Sequence, residues 1–208
     1  MARYTIPFLL VSISLLLLAS NVMSCRRCSR ARAFTIMSCS ATSFPKVCEE
    51  SLAKFVNSTN LGHLQLAQIA LRVSITEAKF TRSYLTKLAS RLEIAHLEEA
   101  QAIVDCIDQI NDSVAQLRLS LKELRKCTNK VGVDDFMWYM SNVETWASTA
   151  LTDQINCAAT FEDNVHGKIV RNMVKAKVEG VTKVTSNALA LVNRYVTRHR
   201  FSRSTHRP

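Results

Sequence analysis

Residues 100–124 read AQAIVDCIDQINDSVAQLRLSLKEL. Within this stretch Ile103, Ile107, Ile110, Val114, Leu117, Leu121 and Leu124 recur at alternating spacings of four and three residues. At about 3.6 residues per turn, that spacing draws one apolar stripe down a single helix. Asp105, Asp108, Gln109, Asp112, Arg118, Lys122 and Glu123 fall on its other sides, and neither proline nor glycine interrupts it. A long helix with one narrow stripe buries it only against partner helices carrying stripes of their own. Cys106, in the same stretch, is available to tie this helix covalently to another.

Three further stripes supply the partners. Leu64, Leu71, Ile75, Ala78, Leu85 and Leu88 predict a helix over about 64–90, and the stretch quoted above begins its own helix near Ile94. Phe136, Met140, Val143, Ala147 and Ala150 predict a third, with Asp134 as its expected N-cap. Val174, Val178, Val181, Thr185, Ala188, Val192 and Tyr195 predict a fourth over about 167–196. Gly62, Gly132 and Gly167 fall where stripes stop, and Gly180 beside the last stripe suggests a close backbone approach. Phe44-Pro45 opens a shorter helix over Lys46 to Val56, since proline at a first turn sacrifices no intrahelical bond. Alternation of apolar and polar residues persists nowhere, so no strand is expected. The expected fold is all-α: an up-and-down four-helix bundle over 61–197, preceded by a helical arm over 34–60 and followed by a basic tail over 198–208.

The chain opens as an address. Arg3 is the one charge ahead of an apolar run from Ile6 to Ala19, which has the length of a signal-peptide core and is short for a membrane span. A signal peptide over 1–24 is expected, with Ala31-Arg32-Ala33 offering processing as late as residue 33. The mature chain is then secreted and free of the membrane. The formal net charge of +10 becomes +5 for a chain starting at Phe34, because Arg3, Arg26, Arg27, Arg30 and Arg32 are removed. Arg194, Arg198, Arg200, Arg203 and Arg207 equal that remainder, so the helical body reads as near neutral. Secretion removes nucleic acid as a partner, and the basic end becomes a solvated tail or a weak contact for an acidic polysaccharide.

Seven cysteines, at 25, 28, 39, 48, 106, 127 and 157, suit an oxidising compartment. Cys39 and Cys48 flank a short turn containing Pro45, while Cys106 and Cys157 stand on separate predicted helices. Four such cysteines admit three pairings, and spacing does not choose among them. Cys25-Arg-Arg-Cys28 finds no further ligands at zinc spacing, and His63, His96, His166, His199 and His206 are scattered. No glycine-rich phosphate loop, G-x-S-x-G or H-E-x-x-H occurs. No metal, cofactor or enzymatic activity is therefore expected. Trp138 and Trp146, eight apart, read as core packing with one partly exposed ring, the alternative being a binding patch. Asn57-Ser58-Thr59 and Asn111-Asp112-Ser113 are glycosylation sequons.

Several segments in order resemble one family. These are Ser38-Cys39-Ser40-Ala41-Thr42-Ser43-Phe44-Pro45-Lys46-Val47-Cys48, then Asp105-Cys106, the run SNVETWASTALTD from Ser141 to Asp153, Cys157, and TSNALAL from Thr185 to Leu191. Together they resemble the plant invertase and pectin methylesterase inhibitors over about residues 38–195. The resemblance implies a four-helix bundle with an N-terminal helical hairpin and disulfides Cys39–Cys48 and Cys106–Cys157. It implies a secreted, apoplastic protein that blocks a cell-wall enzyme in a 1:1 complex. Invertase inhibitors of this family present a Pro-Lys-Phe tripeptide between the second and third bundle helices. Here that loop reads Cys127-Thr-Asn-Lys-Val-Gly-Val-Asp-Asp-Phe136 and has none, so pectin methylesterase is the expected target and invertase the alternative. Thr152, Asp153 and Asn156, just before Cys157, are the candidate contacts, although Ala159 stands where some relatives carry an acid. A non-inhibitory, pectin-associated wall protein is the second alternative, with the arginine tail against acidic pectin.

Overall fold

The computed structural model describes residues 30–56, 61–92, 97–127, 131–161 and 167–204. The expected signal peptide, Cys25, Cys28, Asn57, His96, His166 and His206 lie outside the described residues. Among the described residues there are helices and no strands. A first helix, α1, covers 30–39, and α2 is Pro45–Leu52, continued by a 3-10 turn over Ala53–Phe55. The bundle consists of α3 (His63–Leu92), α4 (Leu97–Leu124), α5 (Val133–Ala159) and α6 (Lys168–Ser204). α4 packs on α3 and α5, and α6 closes the ring against α3 and α5.

The stripes are the core. Ile103, Ile110, Leu117 and Leu124 of α4 are fully buried, as are Leu71, Ala78 and Leu85 of α3, Val143, Ala147 and Ala150 of α5, and Val174, Val178, Ala188 and Val192 of α6. Burial of side chains this size contributes roughly 1.5–3 kcal/mol each for Val, Leu and Ile. α1 and α2 form a hairpin clamped by Cys39–Cys48. Asn187 of α6 receives the hairpin: its Oδ1 accepts from Phe44 N at 3.0 Å and its Nδ2 donates to Phe44 O at 2.9 Å. The second disulfide, Cys106–Cys157, joins α4 to α5.

Four details depart from the sequence expectation. Asp134 does not cap α5: Gly132 is the N-cap and makes no side-chain cap bond, so Asp134 and Asp135 act as first-turn acids against the helix dipole. α6 extends beyond Val196 into the expected tail, because His199 stacks on Phe136 at 3.7 Å between ring centroids and continues the buried stripe by a turn. Gly180 permits no close approach; it is exposed, and an added Cβ would meet nothing within 4 Å. Trp138 is 67% exposed and Trp146 half-buried, so neither tryptophan is core. Gly62 and Gly167 each stand against the end of a flexible side chain, Gln65 and Glu99. At Gly167 the backbone is engaged. Its N–H donates to Glu99 Oε1 at 2.6 Å, and a Cβ there would lie 2.8 Å from that same oxygen.

Candidate functional site

Helical spacing defines one outer flank along the contact between α4 and α5. Cys106, Ser113 and Ser120 are three of the points at which α4 touches α5: through the disulfide, through Gln154, and through Val143 O, which accepts from Ser120 Oγ at 3.0 Å. Gln109, Asp112 and Gln116 lie at three- and four-residue spacings beside them, on the solvent edge of that seam. From α5, Asp153 approaches Asp112 closely enough for the two carboxylates to repel. Gln109 Oε1, Gln116 Oε1 and Asp153 Oδ2 are buried acceptor oxygens that find no donor among the described residues. Three such oxygens along one seam are unusual, since buried acceptors are normally satisfied and an unsatisfied one costs about 1–3 kcal/mol.

The seam is held rigidly. Cys106–Cys157 braces its upper part. Lower down, Glu123 is buried, bonds Lys126 Nζ at 2.7 Å and accepts from Asn142 Nδ2 at 3.4 Å, while Lys126 Nζ lies 5.2 Å from the centroid of the Tyr139 ring. Beneath it, Gln154 Nε2 donates to Ser113 Oγ at 2.7 Å and to Thr185 Oγ1 at 3.1 Å, joining α5 to α4 and α6. Burial, and secondarily the Asp112 charge, raise the Asp153 carboxyl above the ordinary value of 3.8. A group whose pKa is raised by folding contributes stability below its unfolded pKa and loses it as pH rises through the folded pKa. Asp153→Asn is therefore expected to stabilise the fold at pH 7 and to make no difference near pH 3, a contrast that thermal melts at the two pH values will show.

The structure places Thr152, Asp153 and Asn156 on one arc of α5. Thr152 and Asn156 are exposed, and Thr152 Oγ1 donates back to Ser148 O at 3.1 Å. Asp153 forms the edge of the arc nearest the seam and is half-buried. The sequence reading did not name Gln109, Asp112 or Gln116 as candidate site residues. Their signal was a polar i, i+3, i+7 row next to Cys106, which gains meaning only once α5 is known to lie alongside. The sequon at Asn111 falls in mid-α4, where its Oδ1 accepts from Arg82 Nη1 at 3.1 Å. Residues 128–130 of the α4–α5 connection lie outside the described residues, and Phe136 beyond it is buried in the core. Cys127 is buried and free, 3.5 Å from Met140 Sδ, and burial pushes its thiol up to about 11, which disfavours the reactive thiolate. Among the described residues no three His, Cys, Asp or Glu converge as a metal site, and no helix is long and apolar enough to cross a membrane.

The geometry is that of an all-helical bundle braced by two disulfides, with a polar seam between α4 and α5. The chain belongs to the plant invertase/pectin methylesterase inhibitor family, whose model matches residues 34–191. It is 36% identical over 197 residues to pectinesterase inhibitor 11 of Arabidopsis thaliana, covering 94% of this chain and 97% of that one. It is 38% identical over 189 residues to pectinesterase inhibitor 9 of the same plant, covering 90% and 92%. Among solved structures, that of a mutant form of an Arabidopsis pectin methylesterase inhibitor shares the fold, with a TM-score of 0.56 at 17% identity over 74% of this chain and 92% of that one.

Proposed function

We propose that the chain is a secreted, non-enzymatic inhibitor of pectin methylesterase. It seats the α4–α5 seam in the enzyme's substrate cleft as a 1:1 complex and so limits removal of methyl esters from cell-wall pectin. The observation that carries this reading is the polar row along the seam, where exposed Asp112, Thr152 and Asn156 flank the half-buried Asp153 beside the Cys106–Cys157 brace. A partner that supplies N–H or ammonium donors to this exposed row pairs with the acidic side of the bundle. Bracing by Cys106–Cys157 reduces the ordering entropy lost on docking. Trp138, at 67% exposure on the same helix, provides an aromatic anchor of the kind that dominates interface energetics. The relatives named as pectinesterase inhibitors, matched nearly end to end, supply the target class. The N-terminal apolar run supplies the route to the apoplast.

The test is titration of the secreted protein against a plant pectin methylesterase and an acid invertase. Inhibition of the esterase alone is expected. Alanine at Thr152, Asp153 and Asn156 together is expected to weaken inhibition by about 30-fold or more, equivalent to roughly 2 kcal/mol. An unchanged inhibition constant in a folded triple variant would remove the seam from the mechanism.

A further inference from the structure

The near-neutral charge of the bundle body is a cancellation between two strongly charged sides. α4 carries six acids against Arg118 and Lys122, and α5 carries four acids with no Lys or Arg, which together make −8. α3 carries Arg72, Lys79, Arg82, Lys87 and Arg91 against Glu77, and α6 carries nine Lys and Arg against Glu179, which together make +12; Arg194, Arg198, Arg200 and Arg203 of the basic end supply four of these, and the remaining +8 cancels the −8. Because α4 adjoins α5 and α3 adjoins α6, the two signs occupy opposite sides of the ring. Packing does not call for this arrangement: Arg72, Lys79, Lys87 and Lys177 are exposed. Gathering like charge on one side also costs the fold some self-repulsion.

The basic side also carries exposed aromatic rings. Phe80 is 66% exposed beside a hollow of about 150 Å³ between α3 and α6, walled by Glu77 and Lys177 and floored at Gly180, where no side chain fills the space. Lys177 Nζ lies 5.2 Å from the centroid of the Tyr84 ring, so it leans across from α6 to α3. A second hollow, of about 340 Å³, is lined by Phe55, Arg72 and Thr76, with Phe55 53% exposed. Thr76 and Phe80 are one helical turn apart, which sets the two hollows in line along α3. From Ile69 to Tyr84 they span about 22 Å at 1.5 Å per residue. Of the two acids on α3 and α6 themselves, Glu179 is engaged by Lys183 Nζ at 2.6 Å, and Glu77 is a wall of the smaller hollow; Glu49 and Glu50 stand on α2, which packs on both helices.

We propose that this α3–α6 face binds de-esterified pectin, a linear polyuronate. Cations spaced along a groove pair with successive carboxylates, and the exposed rings offer their electron-rich faces to sugar C–H groups. The choice of a polyuronate among polyanions rests on the proposed function, because ester hydrolysis by the target enzyme turns a neutral polymer into this anion. The acidic α4–α5 side is repelled by the same polymer and so points away from it. An inhibitor held by its back to newly de-esterified pectin thus keeps its esterase-facing seam free, at the place where the enzyme has just acted.

The experiment measures binding of the processed chain to immobilised polygalacturonate and to highly methyl-esterified pectin across a salt series, with esterase inhibition measured on the same samples. Binding to polygalacturonate that weakens with salt, and is at least about tenfold tighter than to the esterified polymer, is expected. Lys79→Glu/Lys87→Glu/Lys177→Glu should lose about tenfold or more, since each reversal replaces an attraction with a repulsion. The milder Lys→Gln triple should fall between, and both should inhibit esterase as the parent does. Equal binding to the two polymers, or unchanged binding by the folded triple variants, would overturn the proposal while leaving the inhibitor reading intact. Charge-dependent polygalacturonate binding in a chain that inhibits no esterase would support this face and count against the α4–α5 reading instead.

Discussion

Replacing Cys106 and Cys157 together by alanine is expected to lower the unfolding free energy by about 4 kcal/mol, against about 2.5 kcal/mol for Cys39 and Cys48. The difference follows from the loops that the two bonds close. Cys106 and Cys157 are 51 residues apart in sequence and Cys39 and Cys48 are 9 apart, and a cross-link removes more freedom from the unfolded chain when the loop is longer. All four half-cystines are fully buried, so both pairs of substitutions also leave small voids and the contrast between them is preserved. Denaturant titration of the two double variants, with their slopes compared, reads the contrast directly. A smaller loss at Cys106–Cys157 than at Cys39–Cys48 would show that α4 and α5 remain associated in the unfolded chain. Function is expected to separate the two bonds further. Only the α4–α5 bond braces the seam, so only its loss should weaken esterase inhibition at temperatures where both variants are still folded.

The bundle was legible in the sequence because burial between long helices is periodic, and the periodic residues are the buried ones: Ile103, Ile110, Leu117 and Leu124 are all inaccessible. What escaped was the work done by residues whose type misstates their environment. Trp138 reads as core by hydrophobicity, yet the buried row of α5 runs through Phe136, Met140, Val143 and Ala147, and residue 138 falls off that row into solvent. His199 reads as a tail residue, yet its ring extends the core by stacking on Phe136. At the site, Thr152, Asp153 and Asn156 could be read locally from their position before Cys157. Gln109 and Gln116 could not, because they become part of a site only through a partner helix about 40 residues away in sequence. The charge balance failed in the same way: a sum over the body hides two opposed sides that only the order of helices around the ring reveals.

Gln154 is the residue where periodicity and chemistry conflict most openly, and the expected cost of Gln154→Leu is about 3 kcal/mol. The stripe Phe136, Met140, Val143, Ala147, Ala150 continues at the next four-residue step onto Gln154 and then at three onto Cys157, so a polar amide occupies a core position. It is fully buried, and Ser113 and Thr185, whose hydroxyls accept from its Nε2, are fully buried too. Leucine fills a similar volume but leaves both hydroxyls without their amide partner in the middle of the bundle, at about 1–3 kcal/mol for each such group, offset in part because it also removes Gln154 Oε1, a buried acceptor with no donor among the described residues. The melting temperature should fall by about 6–12 °C for a chain of this size. Removing the remaining polar groups as well, in Gln154→Leu/Ser113→Ala/Thr185→Val, should return stability to within about 1 kcal/mol of the parent, because a network replaced whole leaves nothing unsatisfied. A triple variant less stable than the single would show that the three positions act independently and that the amide is not the hub of the contact among α4, α5 and α6. Asp153 keeps its place on the neighbouring arc in both variants, so esterase inhibition should follow the parent wherever the fold is intact. That outcome would separate the polar core, which sets how firmly the helices are held, from the α4–α5 seam beside it, the proposed binding surface.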